Sequence, residues 1–253
     1  MKPKDFVLSL ARGLAVIEAF SEERTALTVS AIAVRAKISR AAARRLLKTL
    51  EFLGYVSSDG THFSLKPTIL KLGYAYISSR DVLDLAKPIM EKVVETSHMS
   101  CLAAVLDGFD VVYVSRVIAR SYVNVSLPVG TMLPAYATSM GRVLLAWQPP
   151  QRIDEYLANV DLKRITRKTV ASASRLRALL NKVREQGYCL VDGEVGENVI
   201  SLAVPVFDRS GGVPLALNIS GQSQAVSQDA MVREKLPIIT AAAHELSSAL
   251  RNL

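Results

Sequence analysis

Residues 39–56 read Ser39-Arg40-Ala41-Ala42-Ala43-Arg44-Arg45-Leu46-Leu47-Lys48-Thr49-Leu50-Glu51-Phe52-Leu53-Gly54-Tyr55-Val56, and the fold of the first third of the chain turns on them. At about 100° per residue, Ala43, Leu46, Leu47, Leu50 and Leu53 fall on one side of a helix and supply a core face. Arg40, Ala41, Arg44, Arg45 and Lys48 fall on the opposite side. Ser39 is placed to cap this helix and Gly54 to end it. No acid sits three or four positions from the arginines, and Glu51 reaches only Lys48. A small, cationic face without local neutralisation suits a DNA major groove, where arginine bonds guanine and either cation offsets phosphate.

Working outward, Leu10, Leu14 and Ile17 recur at helical spacing between Phe6 and Phe20, which predicts a first amphipathic helix. A polar break, Ser21 to Ala26, follows. Thr28 is placed to cap a second helix through Ala36 whose core face is Val29, Ile32 and Ala33. Lys37-Ile38-Ser39 leaves room only for a tight turn, with Ile38 as its plug. Beyond Gly54 the period changes: Tyr55–Ser57 and Thr61–Leu65 flank Ser58-Asp59-Gly60 as a short hairpin. Three helices and a hairpin give a winged helix-turn-helix. Its candidate DNA contacts are Ser39, Arg40, Ala41, Arg44, Arg45 and Lys48 on the helix, with Thr61 and His62 at the wing tip.

Charge placement agrees. Residues 1–80 carry 13 Lys+Arg against 6 Asp+Glu, so +7 of the chain's +8 lies there. The remaining residues are near neutrality. A basic lobe joined to a neutral one points to a polyanion partner for the first. No apolar run approaches membrane-spanning length, and the N-terminus, interrupted by Arg12 and Glu18, reads as a helix rather than a leader. Cys101 and Cys189 form no metal-ligand spacing, so free thiols in a reducing, cytoplasmic compartment are expected.

These segments resemble the IclR type of bacterial regulators. The resemblance runs through Thr28-Val29-Ser30-Ala31-Ile32-Ala33, the reading helix and Leu53-Gly54-Tyr55-Val56. Later it includes Val129-Gly130-Thr131-Met132-Leu133-Pro134-Ala135-Tyr136-Ala137-Thr138-Ser139-Met140-Gly141-Arg142 and Ser201-Leu202-Ala203-Val204-Pro205-Val206-Phe207, so it covers essentially the whole chain. Ser39–Arg45 with the opening Phe6–Leu14 is similar to the subgroup governing breakdown of protocatechuate, β-ketoadipate and 4-hydroxybenzoate. Ala31 departs from the pattern, standing where an acid often completes a capping box. The resemblance implies dimers through the DNA-binding half, tetramers through the other, and a GAF-like sensor fold.

The second region reads as an α+β domain: an antiparallel sheet with flanking helices. Strand-like runs fall at Cys101–Leu106, Val111–Val117, Tyr188–Asp192, Val199–Phe207 and Val213–Ser220. Helices are expected at Asp81–Ser97, Ser139–Trp147, Gln151–Ala158, Ser174–Gln186 and Pro237–Leu253. The expected division is a winged helix-turn-helix over 1–66, a linker helix over 67–85 and the sensor domain over 86–253.

Nucleotide-binding and hydrolase motifs are absent, and the three histidines are scattered, so catalysis, a metal or a cofactor is not expected. The helix start at Thr138-Ser139 offers free N–H groups that suit a carboxylate. Asn218 and Ser220 share a face of an apolar strand, and Ser201 lies on the strand before. The resemblance places effector contacts at Ser139, Met140, Ser201, Asn218 and Ser220. With Thr138, Gly141 and Asp192 these are the candidate binding residues. Cys189 is a further, weaker candidate, and Arg116 and Arg120 read as exposed ion pairs. The reading is a regulator binding double-stranded operator DNA and a small carboxylic acid, as a homodimer or tetramer. A metabolic enzyme with a nucleic-acid-binding appendage, or an architectural DNA binder without a sensor, are the alternatives.

Overall fold

The computed structural model describes residues 4–21, 24–73, 81–119 and 127–251. It divides into two units, Met1–Ser79 and Arg80–Leu253. In the first, Thr28 Oγ1 accepts the Ala31 N–H at 3.3 Å and opens α2 (Val29–Arg35). Ser39 Oγ accepts the Ala42 N–H at 3.2 Å and opens α3 (Arg40–Phe52). Both bonds satisfy amides that a helix start leaves without partners. Between them Lys37 takes a φ of 53° and half-buried Ile38 fills the corner.

With α1 (Leu8–Glu18), these helices enclose Val16, Ile32, Ala43 and Leu47, closed below by Val56 and Phe63. The hairpin pairs β2 (Val56–Ser58) with β3 (His62–Leu65). A third strand, β1 (Ala26–Thr28), joins the other side of β3 and sets Leu27 opposite Phe63. Three residues are too few to display a period of two, so the sequence showed only a polar break there.

Two core expectations are corrected. Leu53 is 56% exposed, because α3 ends at Phe52 and Gly54, at φ +80°, turns the chain away. Leu10 and Leu14 are exposed, because α1 turns Val16 into the core, followed by Ala19 just beyond its end. Of the expected linker helix, a 3-10 turn at Pro67–Ile69 runs into helical backbone over 70–73. Residues 74–80, with Tyr76, lie outside the described residues.

The second unit is a six-stranded antiparallel sheet between two helical layers. Its strands are β4 (Ser100–Asp107), β5 (Asp110–Val117), β6 (Met132–Pro134), β7 (Cys189–Asp192), β8 (Val199–Val206) and β9 (Leu215–Gln222), in the order β6-β5-β4-β9-β8-β7. Alternation decides the faces. Cys101, Ala103, Ile200, Leu202, Leu217 and Ile219 pack against α4 (Asp81–Ser97) and α8 (Leu236–Arg251). Leu102, Ala104, Tyr113, Ala203 and Ala216 pack against α5 (Ser139–Ala146) and α7 (Ala173–Gln186), with α6 (Pro150–Asn159) alongside. The last helix has an earlier lead-in than Pro237: helical Gln228–Ala230 and a π turn at Met231–Lys235. Gly187, at φ +81°, ends α7 as its left-handed cap.

Because Leu47 is wholly enclosed and Leu50 only half-buried, the two should differ as cavity sites. Leu47→Ala is expected to destabilise the first unit by about 2–5 kcal/mol. Leu50→Ala should cost less. Denaturant unfolding of both variants checks the order.

Candidate functional site

On α3, Arg40, Ala41, Arg44, Arg45 and Lys48 are all exposed, while Ala43 and Leu47 carry the opposite face into the core. Lys48 Nζ sits 2.7 Å from Glu51 Oε2. Among the described residues, the three arginines make no ion pair. Ser39 is engaged at its Oγ as the cap, at the edge of this cationic face. At the wing tip, Asp59 Oδ1 accepts the N–H groups of Thr61 at 2.8 Å and His62 at 2.7 Å. These bonds hold the Asp59 carboxyl below its ordinary range, the His62 amide contributing most. Thr61 and His62 are left exposed on the outside of the turn.

In the second unit a cavity of about 140 Å³ lies between the sheet and the start of α5. That is the scale of a void that accepts one benzene ring. Its walls are apolar (Tyr113, Leu127, Leu133, Val191, Val195 and Val199), with polar groups from Thr138, Ser139, Ser201, Asn218 and Ser220. The sheet register explains the convergence. Ser201 on β8 is directly opposite Ser220 on β9, and Asn218 lies two residues back on the same face.

Ser139 Oγ and Ser201 Oγ are 2.5 Å apart, and Asn218 Nδ2 donates to Ser201 Oγ at 2.8 Å. Asn218 is 97% buried by its 3% exposure, yet its Oδ1 has no partner among the described residues. An unmade buried bond of this kind costs free energy unless something from outside completes it. Burial pushes the Tyr113 hydroxyl up to about 12, so it stays protonated at neutral pH.

Thr138 caps α5, its Oγ1 accepting the Gly141 N–H at 3.0 Å. The first two amides of the helix, at Ser139 and Met140, have no such cap. Three expected contacts fall outside the cavity wall. The Met140 side chain is fully buried in the core behind the helix. Gly141 has its amide consumed by Thr138, and its Cα is pressed on Ala135, whose O would stand 2.2 Å from any Cβ. Asp192 is occupied by Ser223 Oγ at 2.6 Å, Gln228 Nε2 at 2.9 Å and Lys168 at 3.6 Å. The first two bonds hold its carboxyl below the ordinary range. Arg116 and Cys189 do not line the cavity, and Arg120 lies outside the described residues.

What the sequence reading missed is the clamp beneath α5. Arg142 Nη1 and Nη2 reach Glu194 Oε1 and Oε2 at 2.7 and 2.6 Å, and Arg142 Nε donates to the Tyr136 carbonyl at 2.8 Å. Glu194 Oε2 also accepts the Val170 N–H at 2.9 Å. Arg142 belongs to the run Met140-Gly141-Arg142, but Glu194 is 52 residues away. A buried arginine inside an otherwise apolar helix was the available signal.

Burial raises Cys101 to about 12 and Cys189 to about 11, so neither is a thiolate at neutral pH. No group of described residues could hold a metal ion, and no described helix is long and apolar enough to cross a membrane.

Two family profiles match the chain: "IclR helix-turn-helix domain" over residues 9–60 and "Bacterial transcriptional regulator IclR C-terminal" over residues 74–248. The chain belongs to the IclR family of bacterial transcriptional regulators. Within that family it is 43% identical to the Pca regulon regulatory protein of Pseudomonas putida, over 97% of this chain and 85% of that one. A transcriptional regulator from Rhodococcus sp. RHA1 superposes with a TM-score of 0.87 at 39% identity, covering 98% of this chain and 99% of the other. An IclR homologue from Microbacterium hydrocarbonoxydans, solved in complex with 4-hydroxybenzoate, gives a TM-score of 0.83 at 26% identity, covering 97% and 100%. The IclR assignment accounts for both the reading head and the sheet-and-helix sensor.

Removing one half of the Arg142–Glu194 pair strands the other charge in a dry environment. Arg142→Met should therefore destabilise the second unit by about 3–5 kcal/mol, and pairing it with Glu194→Met should recover part of the loss. Thermal unfolding of the single and double variants measures both.

Proposed function

We propose that this IclR-family regulator controls an aromatic-acid catabolic operon and senses a small carboxylic acid of that pathway. The observation that carries the reading is the ring-sized cavity with the unpartnered Asn218 Oδ1 beside the first two amides of α5, which the Thr138 cap does not take up. The kinship to a Pca regulon regulator, and to a homologue that holds 4-hydroxybenzoate, supports the choice of ligand class. The carboxylate accepts the Ser139 and Met140 N–H groups, where the helix dipole favours it. Ser201, Asn218 and Ser220 engage a second polar group, Thr138 and Gly141 hold the helix start in shape, and the apolar wall encloses the remainder.

In the DNA-binding head, α3 enters the major groove of double-stranded operator DNA. Arg40, Arg44, Arg45 and Lys48 bond bases and phosphates, Ser39 and Ala41 allow close approach, and Thr61 and His62 touch the backbone from the wing. The exposed apolar residues Leu8, Leu10 and Leu14 of α1 support a homodimer through this half, which doubles the contacted site; tetramers form through the sensor half. The division of labour is a head at 1–66, a linker at 67–85 and a sensor at 86–253. The protein acts in the cytoplasm and carries out no catalysis of its own.

Arg44→Ala and Arg45→Ala should each weaken operator binding by ~1–3 kcal/mol if they contact bases, or lower the salt dependence if they contact phosphate. Titrations on operator and random DNA distinguish the two, and unchanged binding by both variants would refute the assignment of this face. Calorimetry with hydroxybenzoates should show binding that Asn218→Ala weakens by about 1–3 kcal/mol, with ligand-free DNA affinity unaltered. An Asn218→Ala, Ser220→Ala double variant that binds as well as the wild type would misplace the site.

A further inference from the structure

The near-neutral charge of the second region is an average over two unlike parts. Residues 161–185 carry eight Lys+Arg against two Asp+Glu, while the rest of 81–253 carries ten against fifteen. Four of the eight cations stand in one hexapeptide, Lys163-Arg164-Ile165-Thr166-Arg167-Lys168, and all four are exposed. Local acids neutralise only part of this patch. Lys163 pairs with Asp161 at 2.8 Å, and Lys168 lies 3.6 Å from Asp192. The side chains of Arg164, Arg167 and, at the start of α7, Arg175 make no hydrogen bond or ion pair among the described residues. Arg175 is set where a cation is disfavoured: the first turn of α7, at the positive end of the helix dipole, with no acid in that turn. Positive potential is concentrated here rather than dispersed.

The loop that carries the patch is held stiff from below. Thr169 Oγ1 accepts the Ile165 and Thr166 N–H groups at 3.2 and 2.8 Å, and Thr166 Oγ1 accepts the Lys168 N–H at 3.1 Å. The two threonine hydroxyls donate in turn to the Gly193 and Glu194 carbonyls at 2.6 and 2.7 Å. Tyr136 Oη donates to the Lys163 carbonyl at 2.8 Å. A backbone fixed at this many points leaves only side-chain freedom to be lost when the cations meet a partner.

Composition selects that partner. Ile165, at 42% exposure, is the one exposed large apolar side chain of residues 161–185. A protein interface is built around an apolar or aromatic centre, and a membrane contact inserts such groups. Interfaces with DNA are instead polar and strongly positive. Duplex DNA is also the polyanion that an IclR-family regulator already engages.

We infer that the sensor half carries a DNA-contact surface of its own: Arg164, Arg167 and Arg175, flanked by Lys163 and Lys168, take duplex phosphates other than those held by the reading helix. This goes beyond the reading above, which confines DNA to the head, and it does not depend on the effector site. The contact adds affinity and salt dependence without reading sequence.

The test is fluorescence anisotropy of the full-length protein on a random-sequence duplex of about 40 base pairs, over a series of KCl concentrations. Each phosphate contact contributes about 0.9 to the slope of log K against log salt. The double variant Arg164→Gln, Arg167→Gln should therefore lower that slope by about 2 for each subunit whose patch is engaged. Arg164→Glu, Arg167→Glu should weaken binding further. As a control, Lys87→Gln, Arg233→Gln removes the same charge from exposed positions in the other helical layer and should leave the slope nearly unchanged. A slope unaltered in the loop variants would overturn the inference and turn the patch toward an acidic protein instead. An equal fall in the control would overturn it as well, by making the effect one of net charge. Either result leaves the reading helix and the effector site as they stand, whereas a wild type that binds no duplex at all would remove the head's assignment together with this one.

Discussion

The buried pair of Arg142 and Glu194 is the constraint on which the sensor half depends. Desolvating two charges is expensive, and the cost is offset only when geometry is close and remaining donors and acceptors are satisfied. Here the fork is bidentate, the third guanidinium donor has a carbonyl, and the carboxylate takes an additional amide. Its reach matters more than its net energy. Arg142 stands in the first turn of α5, and Glu194 opens the segment whose Val195, Gly196 and Val199 line the cavity. Thr169 Oγ1 and Thr166 Oγ1 fix the same segment through the carbonyls of Glu194 and Gly193 at 2.7 and 2.6 Å. The start of a helix and the opposite wall of the cavity are thereby set at one distance.

The sheet supplies the third side, and it does so by treating its two faces differently. Along β8 and β9, Ile200, Leu202, Leu217 and Ile219 point to α4 and α8 and are wholly enclosed. Their alternates, Ser201, Asn218 and Ser220, point the other way. The strands are anchored by one face, which frees the other to carry polar groups that no core would tolerate. At the far end of this face small residues such as Ala203 and Ala216 admit the packed helices. The cavity opens where the alanines give way to serine and asparagine.

Much of this was legible in the sequence because it rests on short-range rules. Caps at Thr28 and Ser39, the glycine stops at Gly54 and Gly187, and the two-sided composition of α3 are all local. So is the shared face of Asn218 and Ser220, which follows from their spacing alone. What was not legible depends on distant partners. The clamp joins residues 142 and 194. Asp192 falls one step past Val191, on the other face of the strand opposite Ile200, where Ser223 and Gln228 take its oxygens. Met140 follows Ser139, yet one step on a helix rotates it into the core. The exposure of Leu10 and Leu14 was hidden for a related reason: a helical stripe states that a face is apolar, not which body covers it.

Asp59 shows how a charge ledger can mislead. An acid at the tip of a wing that approaches a polyanion looks like a misplaced residue. Its carboxylate stays exposed, but Oδ1 accepts two backbone amides and Oδ2 lies 3.5 Å from His62 Nδ1, so it serves as mortar for the turn. The anion fixes the loop that carries Thr61 and His62. Neutralising that acid to make the head more basic would trade a defined loop for a slack one. Shape, in a part this small, is made from the same charges that net-charge arithmetic would discard.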